Sequence, residues 1–363
     1  MRTRIGIHQR FPKTTTLALF AFLALVPVPL VAVPMPGQGY LQVNLDSNLP
    51  GMARRVDHDL VNPWGVASDP EGRVVVVADN GTGLLTEFAP RGFPRREVTL
   101  PTPEGGPATS AATGLVFNPS SGFLIRTDSR SERTEPSRFI TVTEEGTIVG
   151  WNAHFASASS AVIAVDRSNS GAIYKGVAIA STPSGDFLYS ANFHEGVVEM
   201  YDDEFQLVRS FTDTTLPAGF APFNISTIGD KLYIAFAQQD TDRHDEVAGA
   251  GLGYVDVFDA QGNFMQRLIS QGELNAPWGL ALAPHDFGRF SDALMVGNFG
   301  DGRVNAFDPT TGSFLGTLET ASASPFDING LWGLTFRGDD LVFAAGINDE
   351  ADGLFGFIRP IVP

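Results

Sequence analysis

Asn62-Pro63-Trp64-Gly65-Val66 opens a motif that returns as Ala276-Pro277-Trp278-Gly279-Leu280 and Gly330-Leu331-Trp332-Gly333-Leu334. Three looser copies lie between them, Thr113-Gly114-Leu115, Lys175-Gly176-Val177 and Phe223-Asn224-Ile225. The central residues of the six copies stand 49, 62, 48, 55 and 54 positions apart, the length of a four-stranded propeller blade. A repeat of that period is the mark of radial repetition. It therefore outweighs the reading of any single segment.

Working outward, each motif is followed by a second β-branched or aromatic run, at 74–78, 123–125, 187–190, 231–236, 293–296 and 341–344. A third run ends each time in an aromatic residue, at Phe88, Trp151, Tyr201, Phe258, Phe307 and Phe357. A fourth follows five of them, at 95–100, 161–166, 206–211, 264–269 and 314–318. The sixth unit runs out of chain, and residues 40–45 are expected to supply its outer strand and close the ring. Turns such as Asp69-Pro70-Glu71-Gly72 and Asp259-Ala260-Gln261-Gly262 separate the runs. The expected fold is all-β, a six-bladed β-propeller of four-stranded blades with the last blade closed by the N-terminal strand. A β-sandwich explains neither the sixfold phase nor the recurring glycine.

The Trp-Gly openings, together with the strand end Val77-Ala78-Asp79-Asn80, resemble a family of exported bacterial propellers related to NHL-repeat proteins. That family is often found in bacteria with the PEP-CTERM sorting system. The resemblance spans about residues 40 to 358 and implies the propeller fold and export, with no reaction or ligand attached. The chain departs from sorted members in having no Pro-Glu-Pro motif and no C-terminal apolar anchor.

Arg2, Arg4, Arg10 and Lys13 precede an apolar run over 17–33, the order of a secretory signal peptide. The expected division is a signal peptide with short linker over 1–36 and one propeller domain over 37–363. Pro27 and Pro29 interrupt the apolar run, so no stable membrane insertion is expected after cleavage. The expected compartment is periplasmic or extracellular. The formal charge of −17 becomes more negative by four when the basic leader is removed, and such a field repels phosphate backbones. Nucleic acid is thereby excluded as a partner. With no cysteine, thiol chemistry, disulfides and lipid attachment through sulfur are excluded too.

In propellers, the loop entering the innermost strand and the loop between strands two and three open on one face. The repeat places Asn62, Asn224, Asn275 and Asn329 on or beside entry loops, and Asp79, Asn80, Asn192, Asn298 and Asn348 at strand-two ends. The expected ligand-binding mouth is therefore Asn62, Asn80, Asn192, Asn224, Asn298, Asn329 and Asn348. Asp79, Asn192, Asn298 and Asn348 are the candidate ligands for Ca²⁺, which takes several hard oxygen donors. The same residue types also close turns on their own backbone, and that reading stands first. Three longer loops, 127–138, 240–251 and 348–353, are expected to overhang the mouth.

His194, Glu195 and His244 are the candidate acid–base residues on that face. No nucleophile elbow, Walker loop or His-x-x-x-His pair is present. Trp64, Trp278 and Trp332 are read as wedges between blades. Two functions stand open. The first is a monomeric exported propeller that binds a protein, glycan or small molecule through its loop-rich face. The second is a Ca²⁺-dependent lactonase, lyase or hydrolase with its site in the channel mouth.

Overall fold

The computed structural model describes residues 39–89, 92–126, 134–154 and 159–361, and the expected signal peptide over 1–36 lies outside them. Six antiparallel sheets carry the six motif copies on their innermost strands. Blade one, for example, runs Pro63–Ser68, Val75–Asp79, Leu84–Phe88 and Pro94–Thr99 in spatial order. Blades three, four and five repeat that order from Tyr174–Thr182, Phe220–Ile228 and Pro277–Leu282. No described helix is long and apolar enough to cross a membrane.

The second strands read as continuous apolar runs because both of their faces are covered. In blade one, Val75 and Val77 pack with Val342, Ala344 and Phe355 of blade six. Val76 and Ala78 turn the other way, onto Ile140 and Val142 of blade two. Outer strands bury much less. In Leu207–Phe211 only Phe211 is buried.

The recurring glycine is explained by how closely the innermost strands approach. A Cβ on Gly114 would stand 2.7 Å from the Val177 nitrogen, and one on Gly176 would stand 2.5 Å from the Asn224 Cα. Heavy atoms do not approach that closely, so only hydrogen fits. Blade four carries Asn224 in this slot. Its amide donates to the Trp278 carbonyl of the neighbouring blade five at 2.8 Å, making the same kind of junction with a hydrogen bond.

The ring closes as the sequence predicts. Tyr40–Ser47 lies antiparallel to Asp352–Pro360 as the outer strand of blade six. The Ser47 hydroxyl donates to the Gly353 carbonyl at 2.6 Å, and the Tyr40 hydroxyl to the Phe287 carbonyl at 2.9 Å. A fifth strand, Arg55–Val56, pairs in parallel with the end of this segment. It is too short to be read from the sequence.

Blade two differs from the expectation. The run at 123–125 is not its second strand, which is Phe139–Thr143. Leu124–Arg126 instead pairs with Thr134–Pro136 as a separate hairpin inserted between strands one and two. Its base is tied to blade three, where the Phe123 amide donates to the Asp203 carbonyl at 2.7 Å. The long 62-residue interval between motifs two and three contains this insertion. The described part of the 127–138 loop, residues 134–138, therefore lies between strands one and two, where a loop between strands two and three was expected, and residues 127–133 lie outside the described residues.

Candidate functional site

The channel through the ring is blocked by aromatic side chains. Trp64 and Trp332 stack at 3.5 Å between ring centroids and 17° between planes, with Trp278 edge-on to both at 6.3 and 5.9 Å. Phe299 stacks on Trp332 at 4.0 Å, and Phe193 and Phe223 complete the cluster. The tryptophans thus form one plug on the axis, where they were expected to wedge between blades. Their three indole N–H groups are buried without an acceptor. On one side of the plug the channel opens as a funnel of about 510 Å³, walled by Val66, Leu115, Ile179, Ile225, Leu280 and Leu334.

The other side is the mouth, and it is built around Lys175. In motif three this lysine occupies the slot that holds Trp64 in motif one. Its side chain is wholly buried, with Nζ 4.9 Å from the Trp64 ring centroid. The ammonium donates to Glu144, from the turn between strands two and three of blade two, and to Asp245 at 3.1 Å. Burial pulls its pKa down, but the carboxylates of Glu144, Glu246 and Asp245 more than reverse this and hold it charged.

Two further carboxyls face the same ammonium. Burial pushes Glu246 up to about 8, against the pull of Lys175. Burial also raises Glu350 above its ordinary value, against the pull of the Asn62 side chain and of Lys175, and Glu144 and Asp245 add to the rise. Asp245 goes the other way, since Lys175 and His244 outweigh its burial. Glu350 is held by three successive residues in left-handed backbone, Asn348, Asp349 and Glu350, at φ of 55°, 52° and 65°. Such runs are strained, and strain of this kind gathers at sites that position a side chain.

Asn62 and Asn80 join this mouth. The Asn62 amide donates to Asn80 Oδ1 at 3.3 Å, and the Asn80 amide donates to Glu144 Oε2 at 3.3 Å. Asn62 Oδ1 and Glu350 Oε1 are both buried with no donor. The mouth therefore offers acceptors in excess.

The other expected residues lie elsewhere. Asn192 closes its own turn by accepting from the Glu195 amide at 3.2 Å and donates to Glu199 at 3.2 Å. Asn298 donates to the Glu273 carbonyl at 2.8 Å inside blade five. Asn329 accepts from the Asn348 amide at 2.9 Å, and the Asn348 side chain donates to Asp352 at 2.9 Å, so this pair ties two loops at the rim. Asn224 belongs to the ring junction. Asp79 is fully buried and accepts from the Thr86 hydroxyl at 2.6 Å, away from the axis. Among the acid–base candidates, His244 contacts Asp245 through Nδ1 at 2.8 Å and reaches the mouth. The Nδ1 of His194 is buried without a partner, and Glu195 is exposed.

Glu144, His244 and Asp245 stand close enough together to share a cation. Lys175 already fills that role, with its ammonium on two of the three.

The raised carboxyls set a pH dependence. An acid whose folded pKa lies above its unfolded value keeps a proton that the unfolded chain has lost, so stability falls as pH rises through that interval. For Glu246 the interval runs from 4.5 to about 8, and for Asp256, also raised by burial, from 3.8 to about 7. Depressed carboxyls such as Asp69 and Asp213 act oppositely below pH 4. Melting temperature is expected to fall between pH 5 and pH 8, and Glu246→Gln to flatten the fall. An unchanged slope in that variant contradicts the assignment.

Fold and mouth together define a closed six-bladed β-propeller, an architecture that mediates binding or catalysis. The chain belongs to the family of Uncharacterized protein R648 and Uncharacterized protein L690 of Acanthamoeba polyphaga mimivirus. It is 31% identical to the first over 326 residues, covering 86% of this chain and 78% of that protein. For the second the figures are 31% over 324 residues, 86% and 83%. No protein-family model matches the chain. Among solved structures it is similar to a luciferin-regenerating enzyme, at 11% identity and TM-score 0.51 over 88% of this chain and 95% of that one. It is also similar to the WD40 β-propeller domain of Doa1, at 9% identity and TM-score 0.48 over 81% and 78%. Identities this low speak to fold alone.

Proposed function

We propose that the protein is a binding propeller whose channel mouth takes a small, donor-rich, positively charged ligand such as an amine or guanidinium compound. The observation that carries this reading is the surplus of acceptors around Lys175. Four carboxyls face one ammonium, and Asn62 Oδ1 and Glu350 Oε1 are buried with nothing donating to them. A ligand bringing N–H groups and positive charge satisfies both, while an anion or a nucleic acid meets repulsion.

Export supports a role in capturing such a compound outside the cytoplasm. It rests on the basic-then-apolar order of residues 2–33 and on the resemblance to exported bacterial propellers, with residues 37–363 as the binding domain. A second reading, a hydrolase or lyase, draws on Glu246, since a half-buried carboxyl pushed up to about 8 suits general acid–base work.

Isothermal titration of the full-length protein with spermidine, methylguanidinium, glucose, acetate and inorganic phosphate separates these outcomes. Binding of spermidine or methylguanidinium, weakened at least tenfold in Glu350→Gln, is the expected result. Preference for acetate or phosphate, or no heat with any cation, overturns the proposal.

A further inference from the structure

The blades carry their own internal comparison at one buried position. Seven residues separate Asp79 from Thr86, Asn192 from Glu199 and Asn298 from Asn305, and each pair joins the end of strand two to the middle of strand three. In blade three the buried acid, Glu199, accepts from both tyrosine hydroxyls, Tyr174 at 2.6 Å and Tyr201 at 2.5 Å, and from Arg167 at 3.2 Å. In blade four the buried acid is Asp256, on strand three, and Arg267 opposite it on the outer strand donates at 3.0 Å. In blade five there is no acid, and Asn298 and Asn305 both donate to the Glu273 carbonyl. In blades three and four the buried acid at this position is paired with an arginine, although Asp256 Oδ2 still has no partner.

Blade one breaks the pattern. Asp79 has no exposed surface and its Oδ1 has no partner. Opposite Thr86 on the outer strand, where blade four has Arg267, stands Glu97. The segment entering the blade, which supplies Arg167 in blade three, supplies Asp57 and Asp59. One oxygen each of Asp57, Asp59 and Glu97 lies within 4.8 Å of the others, and Asp57 Oδ2 is buried and unpartnered. Asp79 shares its sheet face with Thr86 and Glu97, and the charges that bear on it are those of Asp57, Glu97 and Asp59. Among the described residues, no basic side chain pairs with any of these four carboxyls. Asp79 and Glu97 are both raised by burial and then further by their acidic neighbours, whereas at Asp256 Arg267 opposes the rise that burial causes.

We infer that Asp57, Asp59, Asp79 and Glu97 form a Ca²⁺ site between blade one and the segment that follows the closing strand of blade six. Ca²⁺ takes carboxylate oxygens at about 2.3–2.6 Å, so ligands on opposite sides of one ion stand up to roughly twice that apart, the spacing shown by Asp57, Asp59 and Glu97, with Asp79 on the same sheet face as Glu97. The smaller Mg²⁺ keeps its waters and demands octahedral geometry, so this all-carboxylate set favours Ca²⁺. The ion would fasten the closing segment of the ring to blade one. It would play in blade one the part that Arg167 and Arg267 play in blades three and four.

The test titrates full-length protein with CaCl₂ by calorimetry and follows melting temperature in CaCl₂ and in EDTA. One Ca²⁺ per chain is expected, with a rise of several degrees and a response to MgCl₂ at least tenfold weaker. Glu97→Arg copies blade four into blade one. It is expected to melt higher than the parent in EDTA and to lose the Ca²⁺ response, which shows that the variant folds. Asp57→Asn is expected to weaken binding at least tenfold, while Asp245→Asn in the mouth keeps it. No response to millimolar CaCl₂ overturns the inference. So does a response kept in Glu97→Arg or lost only in Asp245→Asn, and neither result touches ligand binding at the mouth.

Discussion

Lys175→Met is expected to lower the melting temperature at pH 7.5 by on the order of 10 °C. The substitution keeps the stem that packs on Trp64 and removes only the ammonium. Glu144 and Asp245 lose their shared donor, and Glu246 and Glu350 lose the charge that offsets them. Removing one partner from a buried ion pair costs about 3–5 kcal/mol, because the remaining charge stays desolvated; that applies to Glu144, while Asp245 is 61% exposed and adds little. In domains of 150–250 residues each kcal/mol moves the midpoint by roughly 2–4 °C, and less in a larger one. The loss should shrink at pH 5, where the carboxyls take up protons instead. Adding Glu144→Gln to Lys175→Met should restore part of the stability. Thermal melts of the three proteins at both pH values check this, and an unchanged melt for Lys175→Met contradicts it.

Gly176→Val is expected to leave little folded protein at 37 °C. Even the first carbon of the new side chain meets the Asn224 side chain and stands 2.5 Å from the Asn224 Cα, and although the amide can swing aside the backbone atom cannot. The innermost strands of blades three and four would have to separate, and pushing the Asn224 side chain aside also threatens its bond to the Trp278 carbonyl of blade five. Overpacking of 1–3 kcal/mol is the usual cost where neighbours can shift. A closed ring gives them nowhere to go, so the cost should exceed that range. Gly171→Ala is the control. Although it sits at a φ of 72°, a Cβ there meets nothing within 4 Å, so the loss should be only the modest backbone strain. Soluble yield and circular dichroism of both variants distinguish them. A Gly176→Val protein that melts with the parent refutes the ring-junction account.

The fold was legible because a period of about 50 residues is a global signal that survives local errors. Blade two shows the limit. Phe123-Leu124-Ile125 has the same composition as a second strand, and only the pairing of Phe139–Thr143 with Ala112–Phe117 reveals the true one. The mouth was half legible. Asn62 and Asn80 were found by asking which loops open on one face. Asn192, Asn298, Asn329 and Asn348 satisfy the same rule yet bond within their own loops and blades, which is what short amides do wherever backbone is near. Lys175, Glu144, Glu246 and Glu350 were missed. The available sign was an ionisable residue in a slot that holds tryptophan or phenylalanine in four of the other five motifs. A lysine there can be charged only if carboxylates converge on it, and the convergence comes from blades two, four and six, remote in sequence.

The most direct test of the mouth is the proton count on ligand binding. A cation seated beside Glu246, which holds its proton up to about pH 8, must favour the carboxylate and so expel that proton. Spermidine titrated at pH 7 in two buffers of different ionisation enthalpy should release close to one proton per ligand bound, and none in Glu246→Gln. Binding without proton release, or the same release from the variant, would place the ligand somewhere other than around Lys175.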